Sequence, residues 1–295
     1  MNTGKQVLAK SQFLHGEVAL IGAGPGDAEL LTLKALRFIE NADVIIYDRL
    51  VSNEILTLTP AHCHRIYVGK AIHKHCVSQD KINDTLVEWA QKGKKVVRLK
   101  GGDSFIFGRG SEEVNYLLEH NIASHVIPGI TAASGCTTYA GIPLTHRNIA
   151  HSCSFITGHF SHDGELDLPW QNYANSTQTL VFYMGIKSVS TIAEQLIAHG
   201  RAATTPAAII RKGTQNDQKV WRSTLATLPD LVANDEIKPP SLLVIGDVVN
   251  AVQQHSSENV DGVGQVAYFA PKLAATPDNR FAQHASNTVL PGIAI

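Results

Sequence analysis

The sequence predicts an α/β protein built from two α/β domains, and three observations predict it. Short apolar runs end in glycine or charged residues, helical apolar periodicity fills the gaps between them, and the same alternation resumes past residue 147. A chain of 295 residues with 44% hydrophobic content is long enough for two domains, each with its own core. The boundaries expected are an N-terminal tail over 1–15, a first α/β domain over 16–135, a second over 136–250 and a weakly ordered C-terminal tail over 251–295.

The first strand is expected over Glu17 to Ile21, stopping at the glycine-rich GAGPGD of 22–27. A helix follows, with Leu30, Leu33, Leu36 and Ile39 on one face. Val44 to Tyr47 reads as a second buried strand that ends in the carboxylate of Asp48, and Ile66 to Val68, running into Gly69 and Lys70, repeats the arrangement. Ser78 caps a helix carrying Ile82, Leu86 and Trp89. Strands then run over Val96 to Leu99, into Lys100, Gly101, Gly102 and Asp103, and through Val126 and Ile127 into Pro128, Gly129, Ile130 and Thr131.

This alternation implies a mostly parallel sheet, in which ligands bind beyond the carboxyl ends of the strands. The second domain takes strands at Ser154 to Thr157, Thr179 to Met184, Ala207 to Ile210 and Leu242 to Ile245, with a helix near 188–198. The polar turn Thr214 to Asp217, followed by Gln218 to Arg222, predicts a hairpin and hence a mixed sheet.

Composition excludes several functions. Lys plus Arg total 25 against 26 for Asp plus Glu, so no global positive field draws the chain to nucleic acid or anionic lipid. Four scattered cysteines do not make a secreted disulfide scaffold, and no stretch has the length of a signal core or a membrane span. A cytoplasmic protein with no nucleic-acid or membrane partner is expected. His62, Cys63, His64, His73, His75 and Cys76 lie close in sequence, but their spacing fits no standard zinc site, and no metal is expected.

Gly22 and Gly24 begin a dinucleotide fingerprint that then fails. Asp27 stands where the third glycine belongs, and Pro25 has no N–H to give a phosphate. Two further loops, GGDSFIFGRG at 101–110 and PGITAASG at 128–135, offer flexible backbone and small residues to a flat, uncharged ligand such as a nucleoside.

At these blocks the chain resembles a known family. VALIGAGPGDAELLTLKALRFIENADVIIYDRLVS (18–52), VRLKGGDSFIFGRGSEE (97–113) and VIPGITAASGCTTYAGIPLTHR (126–147) are similar to the signature blocks of the uroporphyrinogen-III C-methyltransferases. FYMG (182–185), AAIIRKGTQNDQKVW (207–221) and PPSLLVIGDVV (239–249) extend the resemblance over about 16–250.

The resemblance implies two α/β domains of the tetrapyrrole methylase type, an active site in the cleft between them, and a homodimer. It implies S-adenosyl-L-methionine, leaving as S-adenosyl-L-homocysteine, at Pro25, Gly101, Gly102, Asp103, Ile106, Thr131, Ala132, Met184 and Gly213. Asp48 is implied as proton acceptor and Lys70 as donor, with Arg109 a rival for proton handling. A guanidinium stays protonated, so Arg109 is better suited to clamping carboxylates. Arg49, Arg109 and Arg147 are expected to meet the acetate and propionate arms of uroporphyrinogen III, with Glu112 holding Arg109 or forming an ordinary i,i+3 surface pair.

The bifunctional sirohaem synthases carry a dehydrogenase and ferrochelatase region ahead of the methylase. With about fifteen residues before the first strand, this chain is expected only to methylate. The competing readings are a sister methylase acting on a later precorrin, a related diphthine or ribosomal-RNA methylase, a non-catalytic tetrapyrrole or nucleoside sensor, and a dehydrogenase.

Overall fold

The computed structural model describes residues 12–69, 77–160, 164–235 and 237–252. Two five-stranded sheets carry the fold. The first comprises β1 (Val18–Gly22), β2 (Val44–Tyr47), β3 (His64–Tyr67), β4 (Val96–Lys100) and β5 (Ser124–Ile127), in the order β3-β2-β4-β1-β5. Every pairing is parallel, so all five carboxyl ends lie along one edge. β1 has β4 on one side and β5 on the other, and β4 has β2 beyond it. The loops after β1, β4 and β5 and the end of β2 are therefore neighbours in space although about eighty residues separate Asp48 from Gly129 in the chain.

Helices α1 (Leu33–Ile39), α2 (Asn53–Thr57), α3 (Gln79–Gln91), α4 (Gly110–Glu119) and α5 (Ala132–Tyr139) accompany this sheet. β1 and β2 are apolar on both faces because both are covered, which gives two core clusters. One joins Ala19, Ile21, Ile45 and Leu99 to Phe38 and Ile39, and the other joins Leu20, Val44 and Ile46 to Leu86 and Leu117.

The expected face of α1 is corrected. Leu33 is 87% exposed, while Ala35, Phe38 and Ile39 are buried. Thr32 sets this phase by accepting the Ala35 N–H at 3.1 Å, so the α-helix starts after Leu30, which belongs to a separate short 3-10 turn. Phe13, in the segment assigned to a tail, is 8% exposed and stacks on Phe38 with ring centroids 4.8 Å apart. Residues 253–295 of the C-terminal segment lie outside the described residues.

The second sheet comprises β6 (Ser152–Thr157), β7 (Gln178–Tyr183), β8 (Pro206–Arg211), β9 (Lys219–Thr224) and β10 (Ser241–Ile245), in the order β6-β7-β10-β8-β9. Only β6 and β7 pair in parallel; β8 and β9 form the expected hairpin, and β10 is antiparallel to both its neighbours. It follows that β6, β7 and β8 point the same way, and their ends bring Gly158, Met184 and Lys212–Gly213 to one edge. Helices α6 (Val189–Ala198) and α7 (Leu228–Asn234) pack with Ile156, Leu180, Phe182 and Ile209 in its core.

Candidate active site

Three backbone loops interlock at the carboxyl edge of the first sheet. Gly24 and Gly102 exchange both backbone hydrogen bonds, at 3.1 and 2.7 Å, and Ala23 N–H donates to Lys100 O at 2.8 Å. A Cβ on Gly22 would fall 2.5 Å from Gly129 N and 2.7 Å from Gly102 O, so only glycine lets the three loops approach this closely. Asp103 ties the β4 and β5 loops together with its carboxylate, accepting the Phe105 N–H at 2.9 Å and the Gly129 N–H at 3.1 Å.

The second sheet closes over this edge through specific contacts. Tyr183, at the end of β7, places its hydroxyl 2.5 Å from the Thr131 hydroxyl and accepts the Ala133 N–H at 2.9 Å. Thr131 is the N-cap of α5 but its side chain makes no capping bond; Tyr183 supplies the acceptor from the other sheet. The Tyr183 ring lies 5.0 Å from Phe107 and 6.0 Å from Phe155, and burial pushes its phenol pKa upward. Asp27 makes a second tie, accepting the Tyr139 hydroxyl at 2.6 Å while its own N–H donates to Thr214 Oγ1 at 3.1 Å. The residue that spoils the dinucleotide fingerprint thus has structural work joining the two sheets.

The sequence-derived residues fall into three groups. Pro25, Gly102, Asp103, Thr131, Ala132 and Gly213 meet at the cleft: a Cβ on Gly135 would strike Pro25 Cγ at 2.5 Å, and one on Gly213 would strike Cys136 Sγ. Met184 follows Tyr183, is 52% exposed and has a left-handed backbone with φ 58°. Gly101 and Ile106 belong to the same loop, with Leu50 packed against Gly101.

Asp48 stands at the end of β2. Its Oδ1 accepts the Leu50 N–H at 3.0 Å and its Oδ2 lies 3.4 Å from Arg98 Nη2. Arg109 grips Glu112 through two bonds, Nε to Oε1 at 2.9 Å and Nη2 to Oε2 at 2.7 Å, which raises the arginine pKa and lowers that of the carboxyl. Both are solvent-exposed at the start of α4. Arg49 and Arg147 are exposed as well. Lys70, His73, His75 and Cys76 lie outside the described residues, whereas Cys63 is buried and its thiol is pushed up to about 11, mainly by that burial.

Sequence reasoning missed Arg98, Glu113 and Tyr183. A signal existed for Arg98: in VVRLK two cations share one face of an otherwise apolar central strand, and such a pair must find a buried counter-charge. Tyr183 had none, because its partner is reached only when the sheets dock. A surface cavity of about 410 Å³ between Phe13, Arg37, Phe38 and Lys95 sits by the amino end of β4 and holds none of the candidate residues.

These features define the class: an α/β protein whose cleft is made from interlocked backbone loops of a parallel sheet facing the strand ends of a mixed one. The profile of the tetrapyrrole (corrin/porphyrin) methylases matches residues 17–229, and the chain belongs to that family. It is 57% identical over 237 residues to a siroheme synthase of Pseudomonas fluorescens, a match covering 80% of this chain and 51% of that protein. A siroheme synthase of Pseudomonas aeruginosa is also 57% identical, with 79% and 50% covered. The chain thus spans about half the length of these relatives. Uroporphyrin-III C-methyl transferase from Thermus thermophilus, solved in complex with S-adenosyl homocysteine, is 37% identical with a TM-score of 0.69, covering 80% of this chain and 100% of that one. Cobalt precorrin-4 methyltransferase, at 23% identity and a TM-score of 0.71, shares the fold. Among the described residues no helix is long and apolar enough to cross a membrane.

Proposed function

We propose that the chain is an S-adenosylmethionine-dependent methyltransferase that methylates uroporphyrinogen III at two pyrrole carbons, C2 and C7. The product is precorrin-2, formed through precorrin-1, for sirohaem, cobalamin or haem d1 synthesis. The observation that carries this reading is the adjacency of a carboxylate to a backbone-lined cleft: Asp48 ends β2, and the neighbouring β4 opens directly into Gly101, Gly102 and Asp103. Likeness to the Thermus protein, solved in complex with S-adenosyl homocysteine, supports it.

The cleft fits the cofactor. Gly102 has φ 69°, a conformation that favours glycine, and a Cβ there would meet Ala132 N only at 3.7 Å and Thr131 Cα at 4.0 Å, so there is space between the β4 and β5 loops. Met184 and Phe107, the latter beside the Tyr183 ring, expose apolar surface at the end of β7 and in the β4 loop, and Pro25 withholds the N–H that a pyrophosphate would require. When bound, S-adenosylmethionine supplies a methyl group on a positively charged sulfur, open to in-line attack by an electron-rich carbon.

The protein's work is alignment and proton handling. Pro25, Gly101, Gly102, Asp103, Ile106, Thr131, Ala132, Met184 and Gly213 hold the cofactor. Asp48 accepts the proton that leaves the macrocycle, and Lys70 donates one. Arg49, Arg109 and Arg147 grip the rim carboxylates, Glu112 fixing the guanidinium plane of Arg109. The protein works as a homodimer in the cytoplasm and uses no metal.

The test is anaerobic incubation of purified protein with enzymatically generated uroporphyrinogen III and S-adenosylmethionine, followed by product mass and absorbance. Two methyl groups per macrocycle are expected. Cofactor binding without methylation would point instead to a sister methylase.

A further inference from the structure

The most deeply buried charges of the first sheet lie directly behind Asp48. Arg98 and Lys100 are two residues apart on β4, so both side chains leave the same face of a strand flanked by β1 and β2. They are 3% and 4% exposed, and Glu113 of α4 is fully buried against them.

Glu113 Oε1 accepts three bonds, from Arg98 Nε at 3.1 Å, Lys100 Nζ at 3.0 Å and Gln79 Nε2 at 3.2 Å. The Lys100 ammonium also approaches Oε2 to 2.9 Å, as an ion pair without a well-aligned hydrogen bond. Arg98 uses its remaining nitrogens on the main chain of two strands, Nη1 reaching Leu99 O at 2.8 Å and Ile46 O at 3.4 Å, and on Asp48, whose Oδ2 lies 3.4 Å from Nη2.

Two cations thus face two carboxylates, and three of the four groups are out of water. Such a set is poor value for stability alone, since an apolar pack of the same volume holds a helix on a sheet equally well. Burial, with Arg98 alongside, lowers the Lys100 pKa despite the opposing pull of Glu113, a sign of how costly these charges are. The set does one thing an apolar pack could not: it gives the second oxygen of Asp48 a fixed partner. With Oδ1 on the Leu50 N–H and Oδ2 on Arg98, the carboxylate has one orientation.

Resting on the reading of Asp48 as the proton acceptor, we propose that Arg98, locked in place by Glu113 and Lys100, is a positioning residue that aims the Asp48 carboxylate at the reacting carbon. Arg98 touches neither cofactor nor macrocycle; it acts through Asp48.

The test uses the full chain with Arg98→Lys, Asp48→Asn, the double variant and Glu113→Gln. It reads single-turnover methyl transfer, and S-adenosylhomocysteine affinity by calorimetry. Arg98→Lys keeps the charge beside Glu113 but cannot span four acceptors. It is expected to slow methyl transfer by about tenfold or more, change cofactor affinity by less than about twofold, and add nothing on top of Asp48→Asn. Glu113→Gln should give a similarly selective loss, about threefold, and carries the test alone if Arg98→Lys does not fold.

Rate losses that multiply in the double variant, or cofactor affinity that falls in step with rate, would overturn the proposal. If Asp48→Asn is inactive while Arg98→Lys and Glu113→Gln turn over normally, the network is dismissed and the acceptor reading stands. If Asp48→Asn itself turns over normally, the acceptor reading falls and Arg98 has nothing to aim.

Discussion

In the first sheet five strands run one way and deliver every carboxyl end to one edge, whereas in the second only β6, β7 and β8 do so, with β10 returning between β7 and β8 and β9 returning at the edge beside β8. The parallel edge carries side-chain chemistry, in Asp48, Asp103 and the charges behind them. The mixed edge carries shape. Met184, Lys212 and Thr214 there have left-handed backbones with φ of 58°, 49° and 66°, and Phe107 and Arg109 across the cleft have 52° and 58°. Among the described residues these are five of the six non-glycine positions with positive φ, so backbone strain is concentrated where the two edges meet. The buried and cleft-edge charges come from one sheet, and the second holds the first sheet's loops in place through Tyr183 and Thr214.

Four experiments can break or sharpen that contrast. Asp48→Asn should have the largest effect, lowering methyl transfer by roughly 10²–10⁴ while S-adenosylhomocysteine still binds, because a positioned base contributes on that scale; rapid-quench kinetics and calorimetry measure the two separately. Comparable loss from a second-sheet substitution such as Met184→Ala would break the division.

Gly22→Ala comes next. Its Cβ would meet backbone on two sides, and backbone cannot rotate away, so a loss of about 1–3 kcal/mol in urea unfolding is expected. Tyr183→Phe removes one oxygen from the α5 cap and should cost about 1 kcal/mol, read as a roughly fivefold weaker S-adenosylhomocysteine affinity with little change in the rate at saturation. A large rate effect from this variant would mean that the second sheet does more than support.

The smallest effect concerns Cys136, packed under Gly213. Burial pushes its thiol up to about 12 from 9.0. The folded state therefore keeps a proton that the unfolded chain loses above pH 9, so this stabilising contribution is complete below pH 9 and fades as pH rises toward 12. Because the thiolate is the nucleophile, the peptide containing Cys136 should stay unlabelled by thiol reagents at pH 8 until urea unfolds the chain, as mass spectrometry would report.

Much of the fold was legible from apolar patterning. Val44–Tyr47 was read at its observed bounds, and the 214–217 turn announced the β8–β9 hairpin. β3 was read too late, at Ile66 to Val68. It starts at His64 because its pairing with β2 is a main-chain matter: Val44 registers with His64 and Ile45 with Arg65, whatever their side chains prefer. The α1 face was misread for a related reason, since a single hydroxyl on Thr32 sets the helix phase and periodicity carries no such information.

At the cleft, the glycine loops and Asp48 could be seen because each is local to one strand end. Arg98, Glu113 and Tyr183 act across 13 to 52 residues of sequence, and only the sheet order brings their partners within reach.

The cap that β7 lends to α5 also bears on how such chains can be rearranged. A crossover between relatives anywhere in the connection from Tyr139 to Ser152 would join one parent's helix to another parent's strand. The hybrid inherits a complete cap only if the incoming strand brings a hydroxyl-bearing ring at position 183. The two halves are therefore poor candidates for shuffling as independent modules, and one oxygen atom on one tyrosine is part of the reason.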